Sequence, residues 1–219
     1  MAELVWDEMD KRFFETGVSK GVVYTPVAGV YTTGVAWSGL TSVTSAPSGA
    51  EATAQYADNI KYVSLLSAEE WGGTIECFTY PEEFLVHDGV VKTANGLQVS
   101  MQSRPVFGFS WRTEKGNAND PELGYVIHMA YGLQAQPSEK ANNTINDSPE
   151  LATLSFTVTA TPVAVTGMKP TAKTAVDSTD ADVDPTGLSA LEDELYGRAA
   201  VVSPNLPLPD AVDTLLSGA

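Results

Sequence analysis

The stretch EEWGGTIECFTYPEEFLVH, residues 69–87, holds five glutamates, the only cysteine of the 219-residue chain and one of its two histidines. Two carboxylates held about 5 Å apart could act as acid and nucleophile of a retaining hydrolase. A cysteine beside a histidine could form a thiolate nucleophile. The spacing opposes both. If residues 73–80 run as a strand, Glu76 and Cys77 point to opposite faces, while Glu69, Glu70, Glu82 and Glu83 fall in flanking turns beside glycine and proline. No G-x-S-x-G or H-E-x-x-H pattern is present to supply another reaction centre. Cys77 then reads as a small buried hydrophobe. His87, beside Asp88 and Gly89, reads as a turn residue, and His128 as a structural side chain of a strand rather than a ligand.

A second metal-like pattern lies at Asp180, Asp182 and Asp184, which imitate the start of a calcium loop. Pro185 stands where that loop needs glycine, and Leu191 where it needs a bidentate glutamate, so the segment reads as an acidic extended linker. With no phosphate cradle, metal cluster or basic aromatic groove, no cofactor and no metal are expected, and function is assigned to surfaces. The formal charge of −16 and pI near 4.3 argue against a site that grips nucleic-acid phosphates. The start, MAELVWDEMD, is acidic and lacks an apolar core, and no run approaches eighteen apolar residues. The reading expects a soluble chain without an export signal or membrane partner. A single cysteine forms no intrachain disulfide.

The elements that would carry such surfaces are strands. VFGFSWRT puts Phe107, Phe109 and Trp111 on one face; GYVIHMAYGL puts Tyr125, Ile127, Met129, Tyr131 and Leu133 on one face; LSFTVTAT puts Leu154, Phe156, Val158 and Ala160 on one face. Such alternation predicts antiparallel sheets with one face in a core and one face wet. GVVYTPV, VYTTGVAWSGLTSV, IKYVSLL and GTIECFTY add further strands. The predicted fold is mainly β, an antiparallel β-sandwich or partial barrel with a short flanking helix, a long small-residue loop over 38–59, and an extended C-terminal tail. Three divisions follow: 1–166 as the β domain with an N-terminal arm, 167–187 as a flexible acidic linker, and 188–219 as a docking segment with two short amphipathic helices. Net charge is −10 over the first of these and −6 over residues 167–219.

Taken together, ETGVSKGVVY, GVAWSGLTSVTSAPSGAE, YADNIKYVSLLSAEEWGGTIECFTYPEEF, RPVFGFSWRT and GYVIHMAYG, in this order over residues 15–166, resemble the major tail tube proteins of long-tailed bacteriophages. LEDELYG and LPLPD are similar to the C-terminal ends of such proteins from phages of actinobacteria. The resemblance implies a β-sandwich with a flanking helix, assembled as hexameric rings stacked into a tube in the virion tail after assembly in the host cytoplasm. It implies as partners other copies of the chain, a tape-measure protein, a tail terminator, distal tail proteins and genomic DNA passing through the lumen. The chain after Gly167 is too short for the immunoglobulin-like domain that some relatives carry.

On this reading Phe13, Phe14, Trp37, Glu51 and Tyr56 are candidate subunit contacts, and Glu69, Glu70 and Glu76 candidate linings of an acidic lumen that DNA does not adhere to. Leu188, Leu191, Leu195, Val212, Leu215 and Leu216 are candidate docking residues of the tail, free to reach an adjoining subunit. Two other readings compete: a carbohydrate-binding β-sandwich module using Trp37 or Trp111, and a hydrolase built on residues 69–87.

Overall fold

The computed structural model describes residues 4–142, 144, 151–199 and 201–218. Fourteen strands follow one another as β1 (Phe14–Val27), β2 (Val30–Trp37), β3 (Leu40–Ser45), β4 (Ser48–Gly49), β5 (Ala52–Ala57), β6 (Ile60–Leu66), β7 (Glu69–Glu70), β8 (Gly72–Cys77), β9 (Val91–Lys92), β10 (Gln98–Val99), β11 (Phe107–Gly116), β12 (Gly124–Ala135), β13 (Leu154–Ala160) and β14 (Lys173–Asp177). Helices α1 (Pro185–Tyr196) and α2 (Pro209–Leu216) close the chain. Among the described residues no helix is long and apolar enough to cross a membrane.

Eight strands form one antiparallel sheet in the order β2-β1-β11-β12-β13-β8-β3, with β14 added to β12. The sheet curls on itself. Trp37 on β2 and Phe156 on β13 are four strand steps apart, about 19 Å in a flat sheet, yet their ring centroids lie 6.1 Å apart. Phe84, from the short 3-10 turn at Glu82–Val86, fills the concave side at 4.4 Å from Trp37, 4.9 Å from Phe156 and 5.4 Å from Phe107. Ile75, Cys77, Phe109, Trp111 and Leu133 complete this core. The mainly β, partial-barrel expectation therefore matches the structure.

The convex face departs from expectation, because it is covered rather than wet. Tyr24, Tyr31, Ile127, Met129 and Tyr131 pack against Leu188, Leu191 and Leu195 of α1, Leu206 of the strap before α2, and Val212 of α2. The small residues on this face of β11 exist to admit that layer: a Cβ on Gly108 would meet Leu206 and Tyr31 at 2.5 and 3.0 Å, and Ser110 is buried against the Tyr24 hydroxyl at 3.0 Å. Leu133 also changes side. Gly132 adopts φ +58, the ladder to β11 slips between Phe107 and Phe109, and Leu133 turns into the concave core, away from Tyr131.

Two segments read as irregular are structured. The predicted loop over 38–59 contains β3, β4 and β5, and the predicted linker contains β14, whose Lys173–Asp177 pairs with Val126–Ala130. β13 occupies only Leu133–Ala135 of β12, which leaves the first half of that long strand with an open edge for β14 to fill. Asp184, the third aspartate of the calcium-like run, caps α1 by accepting from the Gly187 N–H at 2.8 Å, with Pro185 at the first helical position.

The tail residues Leu188, Leu191, Leu195 and Val212 are buried on their own sheet, and Leu215 and Leu216 are half-buried beside them. Docking on the chain's own body therefore replaces the free reach expected of them. Removing residues 188–219 would uncover Tyr24, Ile127, Met129 and Tyr131, so the tail is part of the fold and not an appendage to it. Loss of a fully buried leucine side chain costs about 2–5 kcal/mol. Leu191→Ala is expected to lower the unfolding free energy by that amount, read as a lower urea midpoint with an unchanged m value, and a loss below about 1 kcal/mol would refute the packed-tail arrangement.

His87 does stand in a turn, but its side chain is buried. Its buried ring bridges β1 to the segment before β11: Nδ1–H donates to the Pro105 carbonyl at 3.0 Å and Nε2 accepts from the Thr25 hydroxyl at 3.1 Å. His128 stacks on Trp111 at 5.0 Å, its Nε2 lies 2.9 Å from the Thr113 hydroxyl, and that hydroxyl donates to Glu15 at 3.1 Å. Burial first, then the Lys173 charge, pushes the His128 pKa from 6.5 down to about 4, against the opposing Glu15 carboxylate. Burial lowers that of His87 as well. Both imidazoles are thus held neutral by folding, and the unfolded chain binds more protons below pH 6.5. Stability is expected to be full above pH 6.5 and to fall as pH drops toward 4, with about 3 kcal/mol carried by His128. Urea titrations across that range should show a flatter slope for His128→Phe, and parallel slopes would exonerate this group.

Candidate functional site

The segment from Leu40 to Cys77 is one long two-stranded ribbon. β3 pairs with β8 at its root, β4 with β7 next, and β5 with β6 beyond, so that Ser45↔Gly73, Ser48↔Glu70 and Ala52↔Leu66 continue one ladder outward. Asp58 and Asn59 close its tip, both left-handed at φ 50 and 63, the two-residue geometry that matches the twist of a hairpin. At the root the ribbon belongs to the body sheet through β13, but β5 and β6 pair only with each other.

The far half has the composition of a core without a core around it. Ile60, Tyr62, Val63, Leu65 and Leu66 on β6 and Tyr56 on β5 are all exposed, with Tyr62 at 76%, Leu66 at 73% and Tyr56 at 71%. Both faces are involved: Leu65, Val63 and Ile60 share one face with Thr53, Gln55 and Ala57, while Leu66 and Tyr56 share the other with Ala52 and Ala54. Both edges are unpaired as well. A lone two-stranded hairpin is marginal in water, and exposed edges with apolar faces are a template for pairing with another chain. A contiguous apolar surface of this kind marks an interaction site.

The sequence-derived candidates distribute unevenly around this ribbon. Tyr56 stands near its tip and Glu51 at the start of its far half, where Glu51 N–H donates to the Ser67 hydroxyl at 3.1 Å. Glu69 and Glu70 are exposed on β7. Glu76, about 20 Å further along the strand, is half-buried and accepts from the Ser42 hydroxyl at 2.8 Å, so the three carboxylates form no single cluster. Phe13 and Phe14 are exposed at the start of β1, with the Lys115 ammonium 4.9 Å from the Phe13 ring.

Trp37 corrects the list. It is 3% exposed in the concave core and its indole N–H donates to the Thr79 carbonyl at 2.9 Å, so it is a packing residue and not a surface contact. Trp111 is equally buried, which removes both tryptophans from a carbohydrate platform. Cys77 is fully buried with its thiol pKa raised by burial, and the His87 ring is engaged by Thr25 and Pro105, so residues 69–87 present no thiolate and base to a substrate. Among the described residues no three His, Cys, Asp or Glu gather as a metal site.

Sequence reasoning missed the apolar residues of β6, reading IKYVSLL as a strand of the body. The available signal was the adjacent Leu65 and Leu66, which put large side chains on both faces of a strand whose partner ATAQYA is mostly small.

No protein-family model matches the chain, and no curated protein matches it. Among solved structures the chain is similar to the cryo-EM structure of the anti-feeding prophage cap (AFP tube terminating cap), with a TM-score of 0.36 and 10% sequence identity, over 81% of this chain and 97% of that one.

Proposed function

We propose that this chain is the repeating subunit of a phage-type tail tube, a structural protein that self-assembles into stacked hexameric rings and conducts DNA through an acidic lumen. The observation that carries the reading is the projecting ribbon, apolar on both faces and open on both edges, which has no cover among the described residues. A second copy supplies such cover by burying side chains and pairing edges, the usual mode of β-augmentation. The sequence resemblance to tail tube proteins over residues 15–166 supports the same reading and adds the tape-measure protein, tail terminator and distal tail proteins as partners.

Acidity supports the conducting role. Six copies at −16 each carry −96 formal charges, and duplex DNA carries about one negative charge per 1.7 Å of axis. A wall of that sign disfavours adhesion and lets a duplex slide. Glu69 and Glu70, exposed on β7, are the lining candidates with the freest carboxylates, and Glu76 is the most restrained by its bond to Ser42.

Electron microscopy of the concentrated chain is expected to show rings or tubes. Replacing residues 50–68 by a short turn is expected to leave a folded monomer, because β3, β8 and both cores stay intact. An unmodified chain that remains monomeric at every concentration would sink the reading, as would tubes formed equally well without the ribbon.

A further inference from the structure

At the root of the ribbon, Glu69, Trp71, Pro162, Pro170, Thr171 and Lys173 line an open groove of about 250 Å³. Its cation is unusual in this chain. Seven of the twelve basic residues lie within 4.0 Å of a carboxylate. Among the described residues Arg12, Lys61, Lys140, Lys169 and Lys173 do not, and Lys173 alone of these is not exposed. Its ammonium lies 5.2 Å from the Trp111 ring centroid and 3.4 Å from the Ser45 hydroxyl. Burial lowers its pKa. Nearby, the buried Nδ1 of His128 has no hydrogen-bond partner, and the Lys173 charge contributes to the depression of that imidazole. The Glu15 carboxylate opposes the lowering of the Lys173 pKa without coming within 4.0 Å, so the ammonium has no direct ion pair, and a carboxylate arriving there would gain a charge-assisted bond. Trp71, Pro162 and Pro170 supply apolar walls beside it.

The matching group sits at the other end of the same ribbon. Between Glu51 and Glu69 the only carboxylate is Asp58, held at the tip turn and flanked by exposed Tyr56, Ile60 and Tyr62. A carboxylate between aromatic side chains complements an ammonium between tryptophan and prolines. The tip cannot reach its own groove, since ten residues of paired strand hold Asp58 roughly 30 Å from Glu69. Donor and acceptor at opposite ends of one extended element make a head-to-tail contact, which repeats from copy to copy and closes into a ring when the rotation permits.

We propose that the ribbon tip of one copy seats in the root groove of the next, with Asp58 paired to Lys173. The inference rests on the self-assembly reading and names its contact. Electron microscopy and sedimentation of single and double charge variants test it. Asp58→Lys and Lys173→Glu are each expected to raise the concentration needed for assembly by about tenfold or more, and the combined swap to restore it to about threefold of the original. Asp58→Asn, which tolerates the left-handed turn, is expected to weaken assembly without changing the melting temperature. Cys77 is buried, so a cysteine pair gives a clean second readout. Asn59→Cys with Thr171→Cys is expected to yield a ladder of covalent multimers on oxidation, and this decides the matter should Lys173→Glu fail to fold. Tubes that form normally from every charge variant, or from the cysteine variant with no ladder, would overturn this pairing and leave self-assembly standing. Absence of tubes from the unmodified chain would overturn both.

Discussion

A single antiparallel sheet with large apolar side chains on both faces must be covered twice, and the arrangement of this chain follows from that requirement. The concave face is covered by curling until Trp37 meets Phe156, with Phe84 plugging the space that remains. The convex face cannot be covered by the sheet itself, and α1, the strap and α2 cover it. Three buried tyrosines fix where that layer lies. The Tyr24 hydroxyl donates to the Leu195 carbonyl at 2.8 Å and the Tyr131 hydroxyl to the Pro207 carbonyl at 3.1 Å, while the Tyr31 backbone carbonyl accepts from the Leu206 N–H at 3.1 Å. A buried hydroxyl without a partner costs free energy, so these bonds specify the position of α1 and the strap as well as stabilising it.

Much of this was legible in the residues, and the failures have identifiable causes. Alternation over β11 and β13 reports one buried face correctly, because Phe107, Phe109, Trp111 and Phe156 recur with period two. It says nothing about whether the small residues opposite face water or another layer, which is how Gly108 and Ser110 came to read as wet positions. Leu133 was misplaced because a single left-handed glycine shifts the parity of everything after it. β14 and β5 carry little propensity of their own, KTAVD and ATAQYA, and become strands through the edges offered by β12 and β6. His87 was hidden by its neighbours: Asp88 and Gly89 do mark a turn, yet the ring points inward between Thr25 and Pro105. Of the site candidates, Tyr56 and the acidic run of β7 could be placed on an exposed surface from sequence. Trp37 could not be told from a surface aromatic without knowing that the sheet closes over it.

The covering of the body sheet does not extend to the ribbon. Both faces of the body sheet have a layer against them, while Ile60, Tyr62, Leu65 and Leu66 have water, as do Leu4, Trp6 and Phe13 of the arm before β1. Leaving a side chain of that size exposed forgoes about 1.5–3 kcal/mol of burial. In the proposed assembly, a chain that closes both faces of its sheet and yet carries such a ribbon would find the remaining burial on a neighbouring copy.

In the proposed assembly acidity and self-association would pull in opposite directions, and the distribution of charge along the ribbon would reconcile them. Copies at −16 repel one another, although at physiological ionic strength that repulsion is screened beyond about 8 Å. Contacts shorter than this have to be chosen by local charge. Residues 52–68 carry one acidic group, Asp58, and one basic group, Lys61, and are therefore neutral within a strongly negative chain, with Glu51, Glu69 and Glu70 standing at the ends. Attraction between copies would then be confined to the neutral apolar stretch, and acidic residues on either side would penalise a neighbour that approaches out of register. Such an arrangement separates adhesion from specificity: burial of the ribbon supplies the first, and like-charge exclusion around it supplies the second.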